Sequence, residues 1–176
     1  GKEELLGKTK RLGLKHLITT VLKTWMAGRE YHLLYDSTKA PISGPAIWER
    51  IRGRKNLTVV IATASGDVFG SFHSIAPHRA NEWEGKEDAG HFVFSLQNQH
   101  NVPPTRFFPT KSNKYRFIVS TNDTYKWVLG VCYCYYIYND DRCCVSSPSF
   151  GGAFLRGYTD TVGLGGAIFT NAIHPN

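Results

Sequence analysis

The N-terminal part of the chain has the hydrophobic period of an amphipathic helix, with apolar residues every three to four positions. These residues are Leu14, Leu17, Ile18, Val21, Leu22 and Trp25. Gly13 precedes them, and Gly28 lies where a helix would end. We predict a helix over residues 14–25 whose apolar side lies on a sheet. Residues 3–12 are predicted to be a short turn or a loose, basic end.

A short strand and a capped helix are predicted next. Tyr31–Tyr35 contains residues that favour strands, and the turn-forming Asp36 follows it. Ser43 can accept a hydrogen bond from the first turn of a helix, where Pro45 is tolerated because its missing N–H costs nothing. Gly53 would end this helix after two or three turns.

From residue 57 the hydrophobic period falls to two, which is typical of β-strands. Leu57–Thr63 and Val68–His73 are predicted to form a hairpin in which Gly66 supplies the turn. Gly70 indicates a bulge or a close backbone neighbour. Further strands are predicted at His91–Leu96, Tyr115–Ser120, Lys126–Val131 and Cys132–Tyr138, with a weaker one near Phe154. The polar connections Pro77–Gly90 and Gln97–Asn113 are predicted to be loops.

Composition supports a single globular domain that is α+β and mainly β. The 176 residues are 41% hydrophobic, 20% charged and 13% aromatic, and aromatic residues favour strands. We expect one domain over residues 1–176, with residues 1–13 a candidate loose extension, cut from a longer protein. No apolar run approaches the roughly 18 residues of a membrane span, and no stretch of this sequence has the pattern expected of a secretory leader. We therefore expect an intracellular, cytoplasmic monomer without a membrane span.

The positive charge is the first candidate for a functional feature. Of the formal net charge of +7, residues 2–23 contribute +4. We expect the remaining +3 to be spread over about 150 further residues without an Arg-rich run. We therefore expect the basic surface to be mainly N-terminal, with Lys10, Arg11 and Lys15 as candidate contacts to an acidic partner. A solvated helix face is the alternative. Nucleic acid is not expected as a partner, since no aromatic RNA-binding signature is present.

The first of the two loops offers a second candidate surface. Arg79, Glu82, Trp83 and Glu84 place an aromatic residue among charges, a combination found where proteins anchor their partners. The alternative is that Trp83 folds back onto the body of the domain.

All four cysteines lie close together in the sequence, as Cys132, Cys134, Cys143 and Cys144. On a strand, the first two would share one face, whereas the adjacent last two would point to opposite faces. Four thiolates would then not converge on one metal ion. The pattern favours reduced, mostly buried thiols; a redox pair or a metal clip is the alternative.

An enzyme is the rival class of function. His73 and His91 lie on predicted strands, and the loop between them carries Glu82, Glu84, Glu87 and Asp88. A histidine with a carboxylate can act as a general base or bind a metal ion, as in a hydrolase-like or metal-dependent enzyme. No hydrolase, metalloprotease or nucleotide-binding motif organises these residues. We therefore predict no catalytic, metal or cofactor residues and no cofactor.

An ordered series of motifs resembles the TLDc domain family, which includes the oxidation-resistance proteins. The motifs are Leu33-Leu34-Tyr35-Asp36-Ser37, Ser43 with its short helix, Leu57–Ile61, Gly66–Phe72, Asp88 with Phe92–Leu96, Pro104–Phe107, and Pro148–Gly152. After Gly152 the family usually continues with Gly-His-Asp-Leu and a strand, whereas this chain has Ala153–Tyr158. The resemblance is therefore divergent at the C-terminal end.

The resemblance implies a sandwich of two antiparallel sheets flanked by a few short helices, with no established catalytic mechanism. It also implies a link to oxidative-stress resistance and a role in protein binding. Members of the family engage the vacuolar proton-pumping ATPase and regulate it, so its subunits are the expected partners. Such binding would place the chain at vacuolar or endosomal membranes through its partner.

Overall fold

A computed structural model describes residues 2–114, 116–122, 125–149 and 152–173 of the protein, with the backbone alone for residues 2–12. The chain divides into two units, Gly1–Leu33 and Leu34–Asn176. The α-helices are α1 (Lys2–Trp25), α2 (Gly44–Ile51) and α3 (Ala153–Gly157), and a 3₁₀ helix covers Gly165–Ile168. The strands are β1 (Leu57–Ala62), β2 (Val68–His73), β3 (Phe92–Gln97), β4 (Thr105–Phe107), β5 (Phe117–Val119), β6 (Trp127–Val131), β7 (Tyr135–Tyr138) and β8 (Cys143–Val145).

The first unit contains the single helix α1. It begins at Lys2, so the prediction of a turn or loose end over residues 3–12 was wrong. Its end is as predicted, because Gly28 has a positive φ of 78° and donates its N–H to the carbonyl oxygen of Lys23 at 2.9 Å. Among the described residues, no helix is both long enough and apolar enough to cross a membrane.

The second unit is a sandwich of two antiparallel four-stranded sheets, which confirms the predicted α+β, mainly β class. The first sheet has the strand order β1-β2-β3-β4, and the second has β5-β6-β7-β8. One buried apolar cluster lies between them, with residues such as Phe69 and Val93 from the first sheet and Val119 and Val131 from the second. Burial of this cluster is the main favourable term for folding.

The predicted hairpin of β1 and β2 is confirmed. Its two glycines, Gly66 and Gly70, are needed for different reasons. Gly66 has a φ of 93° in the turn and donates its N–H to Thr63 at 3.0 Å. Gly70 lies where the backbones approach closely: a Cβ built on it would overlap the carbonyl oxygen of Val59. The register also shifts between Val68 and Phe69, where β2 pairs with β3.

Helix α2 has the predicted cap and packs onto the sandwich. The Ala46 N–H donates to Oγ of Ser43 at 3.3 Å, and Pro45 lies in the first turn. Ile47 and Ile51, four positions apart on one side, join the buried cluster. A Cβ on Gly44 would overlap the carbonyl oxygen of Ser120, so the start of α2 abuts the end of β5.

Two predicted strands are absent or shortened. Tyr31–Tyr35 has no strand structure and joins neither sheet in the described part of the chain, because favourable residues alone do not supply a neighbouring edge. In the Cys132–Tyr138 segment, β7 starts only at Tyr135. The three residues before it form a turn with Tyr133 at a φ of 62°. Tyr115, the first residue of the predicted strand Tyr115–Ser120, lies outside the described residues.

The C-terminal half contains further elements that differ from prediction. β4 lies within the predicted loop Gln97–Asn113, and β8 was not predicted. The expected strand near Phe154 is the helix α3, which follows Gly152 at a φ of 76°. Its helical turn places Phe154 and Tyr158 together, with their rings stacked at 5.4 Å.

The segment after α3 completes the core. Phe169 is fully buried and contacts the rings of Phe69, Phe107 and Phe154. The Asp160 carboxylate holds the turn before Phe169, because it accepts the N–H groups of Val162, Gly163 and Gly165 at 2.8–3.0 Å.

Gly70→Ala should test the close approach of β1 and β2. The added methyl group overlaps backbone, which cannot rotate away, so we expect the free energy of unfolding to fall by about 1–3 kcal/mol or more. Urea denaturation would measure it. Gly13→Ala is the control, because its Cβ meets no atom within 4 Å. An unchanged Gly70→Ala stability would contradict the described backbone packing.

Candidate partner-binding cleft and buried histidine pair

The predicted partner loop runs along the open edge of the second sheet. The Asn81 N–H donates to the carbonyl oxygen of Val119 and the Glu84 N–H to that of Phe117, both at 2.8 Å. The Arg116 N–H donates back to Glu84 at 3.2 Å. The backbone of residues 81–84, here called the edge segment, therefore follows β5 almost as a further strand.

Side chains hold both ends of the edge segment. The Asn81 amide Nδ2 donates to Thr121 Oγ1, and the Thr121 N–H donates to Asn81 Oδ1, each at 2.8 Å. Trp83 is half-buried, with its ring 6.5 Å from that of Trp127 on β6. The alternative in which Trp83 folds back onto the domain is thus the one found.

Asp88 closes the longer loop that contains the edge segment. Its Oδ2 accepts the N–H groups of Ser74 at 2.9 Å and Ile75 at 3.3 Å, and its Oδ1 accepts the N–H of Gly90 at 3.0 Å. The Ser74 hydroxyl also donates to this carboxylate. A buried carboxylate with this many donors has a structural task, so Asp88 is occupied in holding the loop.

A surface cleft of about 670 Å³ opens where this loop meets the end of α2. The Gly53 N–H donates to the carbonyl oxygen of Pro77 at 3.1 Å and fixes one side of the cleft to the other. The cleft is lined by Trp48, Arg52, Gly53, Pro77, His78, Arg79, Ala80 and Glu82. Half-buried Trp48 and buried Pro77 contribute apolar surface, while Arg52, His78 and Arg79 are exposed.

The basic charge outside the N-terminal helix gathers beside this cleft. The segment Glu49–Lys55 carries Arg50, Arg52, Arg54 and Lys55 against one carboxylate, a net charge of +3. The rest of the chain beyond residue 23 has eleven basic and eleven acidic residues and is neutral overall. The expectation that the basic surface is mainly N-terminal was therefore incomplete. A second concentration of basic residues lies at the end of α2, in Glu49–Lys55.

His73 and His91 are brought together inside the sandwich. His73 follows Phe72 and His91 precedes Phe92, and these two phenylalanines pair on the antiparallel strands β2 and β3. The rings of His73 and His91 stack at 4.7 Å. The His91 Nδ1–H donates to the carbonyl oxygen of Phe72 at 2.7 Å, so the neutral ring accepts the Tyr158 hydroxyl at Nε2, at 2.8 Å. Both nitrogens of His91 are thus used within the protein.

His73 takes part in a second chain of hydrogen bonds that joins the two sheets. Its Nε2 lies 2.8 Å from Ser71 Oγ, which lies 2.6 Å from the hydroxyl of Tyr135 on β7. Burial lowers the pKa of His73 well below its usual range, and the charges of His91 and Arg116 lower it further. Burial likewise lowers the pKa of His91 to about 4. Both rings are therefore neutral near pH 7.

Only two of the four carboxylates of the enzyme hypothesis lie beside this pair. Glu84 and Asp88 line a cavity of about 10 Å³ with His73 and Arg116, which is room for about one water molecule. Arg116 is 7% exposed, and its Nε and Nη1 have no hydrogen-bond partner among the described residues. Glu82 and Glu87 are exposed. In the described parts of the chain, no three His, Cys, Asp or Glu residues are grouped as a metal ion would require.

The cysteines are free thiols at the turn before β7 and on β8. Cys134 and Cys144 are buried, and Cys132 and Cys143 are half-buried. Burial raises the pKa of Cys132 to about 11 and that of Cys143 to about 12, and it raises the pKa of Cys134 well above its usual range. The pKa of Cys144 is also raised by burial. Thiols of this kind react slowly near neutral pH.

The predicted partner residues lie in three different settings. Arg79 and Glu82 line the cleft and form an exposed ion pair at 3.4 Å. Trp83 and Glu84 belong to the edge segment, where the Glu84 Oε1 accepts the Lys86 N–H at 3.1 Å. Lys15 is exposed on α1, and the side chains of Lys10 and Arg11 lie outside the described residues. Sequence reasoning missed Trp48 and Arg52, although the alternating basic residues from Arg50 onward were a visible signal.

A sequence model of the TLDc domain matches residues 10–158. The chain belongs to the TLDc family. None of the curated proteins matches it. The TLDc match ends at Tyr158, the residue whose hydroxyl binds His91, so it includes the cleft, the edge segment and the histidine pair. The core residue Phe169 lies beyond the matched part of this TLDc domain.

The histidine pair predicts a loss of stability in acid. The folded TLDc domain keeps His91 neutral down to a pKa of about 4, whereas an unfolded histidine takes up its proton near pH 6.5. The unfolded state therefore binds more protons as the pH falls from about 6.5 to about 4. The free energy of unfolding should drop over this range, by roughly 2 kcal/mol at pH 5 from His91 alone. Urea denaturation at several pH values would measure it.

The control for this prediction is His78→Gln, which removes an exposed histidine and should leave the drop unchanged. His91→Gln should make the dependence shallower, whatever its effect on stability near pH 7. Should the wild type and His91→Gln lose stability equally between pH 7 and pH 5, His91 would not be the buried neutral group described. An NMR titration of the wild type gives the folded-state pKa directly.

The cysteines predict slow modification in the folded TLDc domain. Since burial raises all four pKa values, few thiolates exist near neutral pH, and access to them is restricted. We expect a thiol-specific reagent to react with the native protein at least about tenfold more slowly than with the protein in urea. Absorbance of the released thiol product would follow the reaction. A fast-reacting cysteine in the native protein would instead support the redox alternative.

Proposed function

We propose that this TLDc domain is a non-enzymatic, regulatory protein-interaction domain that acts in oxidative-stress resistance by binding vacuolar proton-pumping ATPase subunits. Family membership over residues 10–158 carries the proposal. We place the activity in the cytoplasm, at vacuolar or endosomal membranes through the partner, and we expect a monomer.

The use of the buried polar groups supports a non-enzymatic role. Both nitrogens of His91 bind protein atoms, and the Asp88 carboxylate holds the loop backbone. A general base must reach the proton that it removes, and this pair lies beneath the surface with each histidine residue at most 3% exposed. The cavity beside His73 has room for about one water molecule, not for an organic substrate.

The accessible chemistry supports a role in protein binding. The cleft combines aromatic and arginine side chains, which are types enriched at protein interfaces, with the apolar ring of Pro77. It is built from the end of α2 and a loop that is anchored to the second sheet, so its shape is set before a partner arrives. Interfaces formed by rigid segments avoid part of the entropy cost of binding.

Capture of partners tests this proposal. The immobilised chain, incubated with detergent-solubilised vacuolar membranes, should retain ATPase subunits, which antibodies against those subunits would detect. Gly70→Ala, expected to weaken the fold, is the control for binding that needs the native structure. Addition of the chain to vacuolar vesicles should also change ATP-driven proton uptake. Failure to retain any subunit, together with unchanged proton uptake, would overturn the ATPase as partner.

A further inference from the structure

We propose that the cleft between α2 and the loop binds an acidic segment of a protein partner, with an apolar side chain of that segment against Trp48 and Pro77. This inference rests on the proposed protein-interaction function and names the surface and the chemistry that it recognises. Flanking carboxylates of the partner would meet Arg52 and Arg79.

Charge complementarity is the first argument for an acidic occupant. Arg52, His78 and Arg79 line the cleft, and the adjoining Glu49–Lys55 segment holds the whole excess charge of the chain beyond residue 23. Like charges at such spacing repel one another, and a negatively charged partner relieves that repulsion. An acidic segment is therefore favoured over a basic or neutral one.

The internal ion pair at the cleft does not block this role. Arg79 and Glu82 lie 3.4 Å apart, with side chains 78% and 62% exposed. An exposed pair of this kind contributes little to stability, so a partner carboxylate can take the place of Glu82 at Arg79. Arg52 has an exposed side chain, while its backbone N–H caps α2 by donating to Trp48 at 3.0 Å.

The shape of the cleft favours a peptide over a membrane or a nucleic acid. An open, shallow cleft of about 670 Å³ with the half-buried Trp48 and buried Pro77 in its wall suits a side chain that projects from a partner. A lipid surface would reach the exposed cations but not the recess. A phosphate backbone would likewise reach the exposed cations, but it presents no apolar side chain to Trp48 and Pro77.

The cleft is also held rigidly on both sides. The hydrogen bond from Gly53 to Pro77 joins its two walls, and the Asn81 backbone and side chain tie the loop to β5 and to Thr121. Ile47 and Ile51 anchor α2 in the core. The site is therefore formed before the partner segment binds, and binding does not carry the entropy cost of ordering it.

The test uses a short fluorescent peptide with a central Phe flanked by Asp and Glu, and a second peptide with Asn and Gln in their place. We expect the acidic peptide to bind the full chain, measured by fluorescence anisotropy, and to weaken with added salt. The variant Arg52→Glu with Arg79→Glu should bind at least about tenfold more weakly. Lys111→Glu with Lys114→Glu, an equal charge change at exposed lysines that do not line the cleft, should bind within about twofold of wild type.

A spectroscopic measurement locates the contact independently. On addition of the acidic peptide, the indole N–H signal of Trp48 should shift, and a Trp48→Phe variant identifies that signal. Equal loss of binding in the two double variants would mean that net charge alone drives binding, and it would overturn the cleft. Equal binding of the Asn and Gln peptide would overturn the acidic occupant. The acidic occupant would also be overturned if single-stranded DNA or phosphatidylserine vesicles bound through Arg52 and Arg79 while the acidic peptide did not bind.

The failure of this inference can be told apart from failure of the ATPase proposal. If wild type and Arg52→Glu with Arg79→Glu retain ATPase subunits alike, the function stands and the cleft is not its surface. If the acidic peptide binds at the cleft and no subunit is retained, the cleft stands and the ATPase partner falls.

Discussion

A chain of buried hydrogen bonds joins the two sheets of this TLDc domain, and the sandwich depends on keeping these polar groups paired. Ser71 on β2 bonds to both His73 and Tyr135, and the stacked His91 continues the polar contact to Tyr158. Such a chain is stable only while each member has its partner and the two rings remain neutral. The polar interior is therefore committed to holding the fold, and recognition is left to the surface.

Local signals in the sequence were sufficient where neighbouring residues decide the structure. The hairpin of β1 and β2 was predictable because Gly66 and the alternating pattern lie within one short segment, and the same holds for the cap at Ser43. The strand expected at Tyr31–Tyr35 was wrong because a strand needs an edge to pair with, which no local pattern reports. Likewise, α3 depends on the positive φ of Gly152 and on packing of Phe154 against distant rings.

The candidate site was only half predictable for the same reason. Arg79 and Glu82 are recognisable in the sequence because they lie in a charged loop. The other wall of their cleft contains Trp48 and Arg52, and the hydrogen bond from Gly53 to Pro77 joins the two walls. The charged neighbours of Trp83 left open whether its ring is exposed or folds back onto the domain. The edge of β5 decides this, because it supplies backbone partners that hold the segment against the sheet. The edge strand of a sheet has unpaired backbone N–H and C=O groups, and a nearby extended segment can pair with them.

The concentration of charge at the end of α2 has a kinetic consequence. The segment Glu49–Lys55 holds four cations within seven residues, and the other charges of the second unit balance. At a distance these four cations therefore act together as one positive charge centre. At physiological ionic strength its field extends about 8 Å, roughly three water layers, beyond the surface. An acidic body diffusing past would be turned toward that charge centre before any atoms touch, so productive encounters would outnumber those of a uniformly charged protein. The same local field would make the association rate, more than the lifetime of the complex, the quantity that responds to salt.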